Sequence, residues 1–94
     1  MSQAPANVPG ITRNGVTFVP LRSVVEQLGG NITWDNDTKS ATFTVRHVTG
    51  QIWEGNSTFQ ANGRTHTLDG APFIENGTLY VPVDTLHDIG LTTG

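Results

Sequence analysis

The sequence contains no cysteine and only one lysine in its 94 residues. Without cysteine there can be no disulfide, no thiolate nucleophile and no thiolate-ligated zinc. The absence does not assign a compartment, since reducing and oxidising ones both tolerate such a chain. Charged residues make up 14% and hydrophobic residues 35%, both low for a globular chain, and Thr, Asn, Gly, Ser and Gln fill the difference. The net charge is −3, and Lys39, Arg13, Arg22, Arg46 and Arg64 are scattered. No basic stripe exists to track phosphates, so nucleic acid and anionic membrane surfaces are not expected partners. No apolar run approaches the roughly 20 residues of a membrane span. The opening MSQAPANVPG lacks both a basic and an apolar region, so it does not read as a signal peptide. Either the chain stays inside unless exported another way, or Met1 follows a removed signal or lies within a longer protein.

What is present is a motif that occurs twice. NGVTFVPLRSVVEQLGG, Asn14 to Gly30, returns in shortened form as NGTLYVPVDTLHDIG, Asn76 to Gly90. In each copy an Asn-Gly turn leads into a short apolar strand (Val16 to Val19, Leu79 to Val81), and a proline, Pro20 or Pro82, opens a helix at its first position. Leu21, Val24, Val25 and Leu28 fall at i, i+3, i+4 and i+7, one helical face, and Gly29 ends the helix. The second helix keeps the stripe at Val83 and Leu86, with His87 at the position of Val25 and Ile89 one residue early.

Between the copies the chain alternates. Ile32 and Trp34, a turn over Asp35 to Lys39, then Ala41, Phe43 and Val45 predict a β-hairpin with one buried face. A second extended pair spans Gln51 to Leu68 around Asn62-Gly63, whose positive-φ preference predicts a type I′ turn pairing Ala61 with Arg64 and Phe59 with His66. Met1 to Val8 read as a loose arm or one that docks on a neighbouring subunit, and Leu91 to Gly94 as a strand beginning. A 94-residue chain buries one core, so the expected organisation is an arm at 1–9 and a single domain at 10–94. The fold class expected is α+β: a small antiparallel sheet of about five strands wrapped around one long and one shorter helix.

No set of residues spells out a reaction. His47, His66 and His87 fit no ligand spacing, and Asp35 to Thr38 lacks the order and distal glutamate of a calcium loop, so no metal or other cofactor is expected. No sequence pattern fixes any two of Glu54, Asp69, Glu75, Asp84 and Asp88 at a catalytic separation, and Ser23 and Ser40 have no nucleophile-elbow glycines. The expectation is a chain that is not an enzyme. Among the aromatics, Trp34 reads as core. Trp53 neighbours Ile52, so if Ile52 faces the core Trp53 faces out, placed to stack on a sugar or anchor a protein interface unless the chain's own tail covers it. Trp53 is the interaction candidate, with Arg64 and Thr65 at a hairpin tip beside it. The structural candidates are Pro20, Leu21, Val24, Val25, Leu28, Ile32, Trp34, Phe43, Val45, Phe59, Pro82 and Leu86. A sheet with an incomplete last strand also leaves an edge that a second chain can pair with, giving a homo-oligomer.

The order NG-x-x-[FY]-VP-[LV], helix, ITWD hairpin, ANG turn and second NG-x-x-YVP resembles the copper amine oxidase N-terminal-like, or stalk, domain of Gram-positive bacterial surface and secreted proteins. The resemblance covers about residues 10 to 92. It implies an antiparallel sheet with helix, an extracellular or cell-surface location, and a non-catalytic module that attaches or positions a surface protein or cell-wall enzyme, with other protein domains or cell-wall glycan as partners. The alternative is a structural subunit of a self-assembling surface filament or virion. The copper in the family's name belongs to a different, catalytic domain, whose tyrosine motif is not matched here, since Tyr80 lies inside the strand motif.

Overall fold

Three Asn-Gly pairs set the course of the chain. At Asn14-Gly15, Asn62-Gly63 and Asn76-Gly77 both residues have positive φ, 51 to 53° for the asparagines and 77 to 80° for the glycines. Asparagine and glycine are the residues that adopt this conformation at least cost, and their pairing makes the two-residue turn that matches strand twist. The computed structural model describes residues 10–83 and Thr85. Along it run β1 (Ile11–Arg13), β2 (Val16–Pro20), α1 (Leu21–Gln27), β3 (Asn31–Asp35), β4 (Ser40–Val45), β5 (Val48–Trp53), β6 (Thr58–Ala61), β7 (Arg64–Thr67), β8 (Phe73–Glu75) and β9 (Thr78–Pro82).

The strands form two antiparallel sheets. The first has the order β1-β2-β9-β8 and the second is a meander, β3-β4-β5-β6-β7. The strands of the two motif copies, β2 and β9, pair with each other, Phe18 opposite Pro82, Val19 opposite Val81 and Pro20 opposite Tyr80. Val19 and Val81 therefore sit at the centre of a local two-fold relationship and turn inward, 3% and 0% exposed. The meander supplies Ala41, Phe43, Val45, Ile52, Phe59 and Ala61 to the same core, and α1 adds Leu21, Val24 and Val25. Burying each of the larger side chains contributes about 1.5–3 kcal/mol. Leu28, Ile32 and Trp34 are half-buried against this cluster, Pro20 and Pro82 are buried, and Leu86 lies outside the described residues.

The architecture corrects the expectation of one five-stranded sheet around a long and a shorter helix. The described chain is mostly strand, in sheets of four and five, and α1 has only seven residues. The helix is short because Gly29, at φ 84°, closes it at once: the Gly29 amide donates to Glu26 O and the Gly30 amide to Val25 O, the paired bonds of a left-handed helix end. Pro20 also sits one position earlier than expected, as the N-cap with ψ 117°, while still ending β2. Of the shorter helix only Val83 and Thr85 are described, and the N-terminal arm and last strand lie outside the described residues.

Two short strands and one turn were not legible in the composition. Strands β1 and β8 are three residues each, too short to show alternation, so each Asn-Gly pair reads as the start of a strand rather than the middle of a hairpin. The link from β4 to β5 is Arg46-His47, with Arg46 at φ 55°, a conformation its bulky side chain rarely takes. The hairpin over Asp35 to Lys39 forms as expected. So does the Asn62-Gly63 hairpin, with Ala61 opposite Arg64 and Phe59 opposite His66.

Candidate functional site

Alternation along each strand gives the five-stranded sheet two unlike faces. The inner rows are Trp34–Ala41–Ile52–Phe59–His66 and Ile32–Phe43–Gly50–Ala61–Arg64. Between them, on the outer side, runs Thr33–Thr42–Gln51–Gln60–Thr65. Beyond lie Asn31, Thr44 and Thr49 on one side and Asp35, Ser40 and Trp53 on the other. Thr33, Thr42, Gln60 and Thr65 are exposed and Gln51 is half-buried.

One corner of this face is built up. Ser40 lies on the outer side yet is 0% exposed, and its cross-strand partner is Trp53. The Ser40 hydroxyl shares a hydrogen bond with Thr38 Oγ1 at 2.7 Å and accepts one from Gln51 Nε2 at 3.0 Å. The Gln51 amide is thus held in place beside Trp53, which is half-buried on the face opposite the fully buried Ile52. The adjoining turn is also tied down, with Asp35 Oδ1 accepting from the Asp37 amide at 2.8 Å and the Thr38 amide at 3.4 Å. Those carboxylate contacts make a stable hairpin end.

Of the interaction candidates, Trp53 and Thr65 share the outer face, two strands apart. Arg64 does not join them: it is exposed but belongs to an inner row, opposite Ala61. Ser40 and Gln51 were not legible as site residues, because alternation predicts exposure for both and only the register shows what lies opposite Ser40.

Elsewhere a cleft of about 300 Å³ opens between the sheets, lined by Ile32, Trp34, Ile74 and Leu79 with Arg22 and Ser23. A larger hollow of about 480 Å³ lies between the first hairpin and the loop at Asp69 to Phe73. Beside it Phe18 meets Phe73 edge-on at 4.9 Å, Phe73 stacks on Tyr80 at 5.3 Å, and the Arg13 guanidinium sits 3.8 Å over Phe73.

The titratable candidates are dispersed. His47 lies in an exposed turn, where its carbonyl accepts from Asn62 Nδ2, whereas His66 stacks on Phe59 with ring centroids 5.0 Å apart. His87, Asp84 and Asp88 lie outside the described residues. Glu75 is bonded to Arg13 and Glu54 is exposed. Among the described residues no three His, Asp or Glu side chains converge on one point, and no helix is long and apolar enough to cross a membrane.

Residues 2–91 match the copper amine oxidase N-terminal domain. A protein named protease inhibitor, from Brevibacillus choshinensis, is 32% identical over 72 residues, a stretch that makes up 77% of this chain and 22% of that protein. The chain therefore spans about a fifth of that relative's length. The matched domain is the N-terminal, non-catalytic one and not the domain that carries out the oxidation. Matched over nearly its whole length, the chain belongs to the copper amine oxidase N-terminal domain family.

Proposed function

We propose that this domain is an extracytoplasmic binding and spacing module that attaches or positions a larger surface protein or cell-wall enzyme. The observation that carries the reading is the outer face of the five-stranded sheet, a polar, nearly uncharged surface with Trp53 set into one corner. Among the described residues no element packs across the exposed Thr33, Thr42, Gln60 and Thr65 of this face, which favours a partner-binding role for it. The family match and the relative's much greater length favour a module that works within a larger protein.

The test is retention. The chain fused to a fluorescent reporter is incubated with Gram-positive cells and with purified sacculi, then washed beside the reporter alone. Retention on either is the expected result. A fusion that washes away from both as fast as the bare reporter overturns the reading. The relative's name, protease inhibitor, adds a protease to the partners worth assaying.

The second reading is a self-assembling structural subunit. It is favoured by β7, which ends the five-stranded sheet with no further strand beside it among the described residues. An open edge of this kind accepts a strand from another chain. Light scattering behind size exclusion, with the full chain beside one lacking residues 1–8, decides it: concentration-dependent assembly lost with the arm favours this reading, and a monomer throughout excludes it.

A further inference from the structure

The row Thr33–Thr42–Gln51–Gln60–Thr65 crosses all five strands without a break, each step one interstrand distance of about 4.8 Å. Every side chain in it both donates and accepts hydrogen bonds and carries no charge. Among the described strand residues of this face only Asp35, at a corner, is charged, and its Oδ1 is engaged by two backbone amides. A charged ligand finds a single carboxylate and no cation among the described strand residues of this face. A hollow on the described part of this face, about 190 Å³, is bordered by Thr42, Thr49, Gln51, Gln60 and Asn62, so an apolar ligand there would meet hydroxyl and amide groups. The complementary partner is a neutral chain bearing hydroxyl and amide groups at a regular interval, and a sugar ring in a linear polysaccharide spans about one interstrand distance.

The Trp53 corner supplies what such a ligand needs beyond hydrogen bonds. An indole stacks on a sugar ring and, already half-buried, loses little further freedom in doing so. The hydrogen bond to fully buried Ser40 presets the Gln51 amide, so less ordering is lost on binding. We propose that the outer face binds a neutral polysaccharide strand laid across β3 to β7, with Trp53 stacking on the sugar ring that crosses β5, Gln51 bonding that same sugar, and Ser40 acting as a positioning residue for Gln51. The proposal rests on the binding-module reading and names its ligand class.

The experiment is a titration of the isotope-labelled full chain with chitin and cello-oligosaccharides, followed by amide shifts at low and high salt, with oligogalacturonate as the charged control. The expected result is saturable shifts centred on Thr42, Gln51, Trp53 and Gln60, with an affinity indifferent to salt. Trp53→Ala is expected to weaken binding about tenfold or more. Gln51→Ala weakens it too, and Ser40→Ala combined with Gln51→Ala binds no more weakly than Gln51→Ala alone, which a merely structural serine would not produce. Should Trp53→Ala fail to fold, exposed Thr42→Ala and Gln60→Ala take its place, and both must weaken binding. No shift with either neutral oligosaccharide, shifts centred on another face, or binding confined to the charged control at low salt overturns the proposal. A fusion retained on sacculi by a chain that ignores these oligosaccharides overturns this inference alone and leaves the module reading intact.

Discussion

Arg13 and Glu75 lie on opposite edge strands of the four-stranded sheet, yet Arg13 Nη2 donates to Glu75 Oε1 over 2.6 Å. The two occupy equivalent positions immediately before the two motif copies, each the last strand residue before an Asn-Gly turn, Arg13 opposite Val16 and Glu75 opposite Thr78. Complementary charge at equivalent sites draws the edges of a curled sheet together, and the Arg13 guanidinium covers Phe73 as it crosses.

Both side chains are nearly half exposed, 47% and 43%, so water screens the pair. A double-mutant cycle of Arg13→Ala and Glu75→Gln in urea unfolding is expected to give a coupling of about 0–1 kcal/mol. Arg13→Ala alone is expected to cost about 0.5–1 kcal/mol more than the coupling, from the lost contact with the Phe73 ring. A cost equal to the coupling would mean the ring contact contributes nothing.

Gly50 stands opposite Phe43, and a Cβ built there would lie 2.5 Å from Phe43 Cζ and 2.9 Å from Gln60 O. Gly50→Ala is expected to destabilise by about 1–3 kcal/mol through overpacking. Pairing it with Phe43→Leu should recover part of that loss relative to the sum of the two single changes; strict additivity would mean the ring is not what the new methyl meets.

Asn62 does more than turn the chain. Its Oδ1 accepts from the Thr49 amide at 3.0 Å and its Nδ2 donates to His47 O at 3.2 Å, so one side chain ties the β6–β7 turn to the β4–β5 turn. Asn62→Gly keeps the positive φ and removes both bonds. The expected outcome is a loss of about 1–2 kcal/mol and faster exchange of the Thr49 amide. An unchanged Thr49 exchange rate would count against the tie.

Phe59 is 0% exposed and carries His66 stacked on its ring. Phe59→Ala is expected to cost about 3–5 kcal/mol, a large share of the stability of a domain this size, while His66→Ala costs about 1 kcal/mol. Thermal and urea midpoints of both variants check the ranking.

What the sequence conveyed well was local. Asn62-Gly63 yielded both the turn and the register, since two positive-φ residues in a row admit few alternatives, and the stripe from Leu21 to Val25 yielded the buried face of α1. It conveyed poorly whatever depended on a partner distant in the chain. Arg46 adopts its positive φ because Val45 and Val48 pair, and no residue type marks it. Strands β1 and β8 are held by β2 and β9, and three residues carry no periodicity of their own. Ser40 looked like any outward serine, because Trp53, thirteen residues on, is what the register sets opposite it.

The pairing of β2 with β9 has a mechanical consequence. Ile11, where β1 begins, and Pro82, where β9 ends, share one row of the four-stranded sheet with Phe18 between them, two strand spacings or roughly 10 Å apart. A pull between these two points acts across the strands and opens the ladder one bond at a time, starting from its end. The domain peels under tension at low force instead of resisting in shear, and because the chain has no native cysteine, a pair placed at positions 11 and 82 would attach the handles for measuring that force.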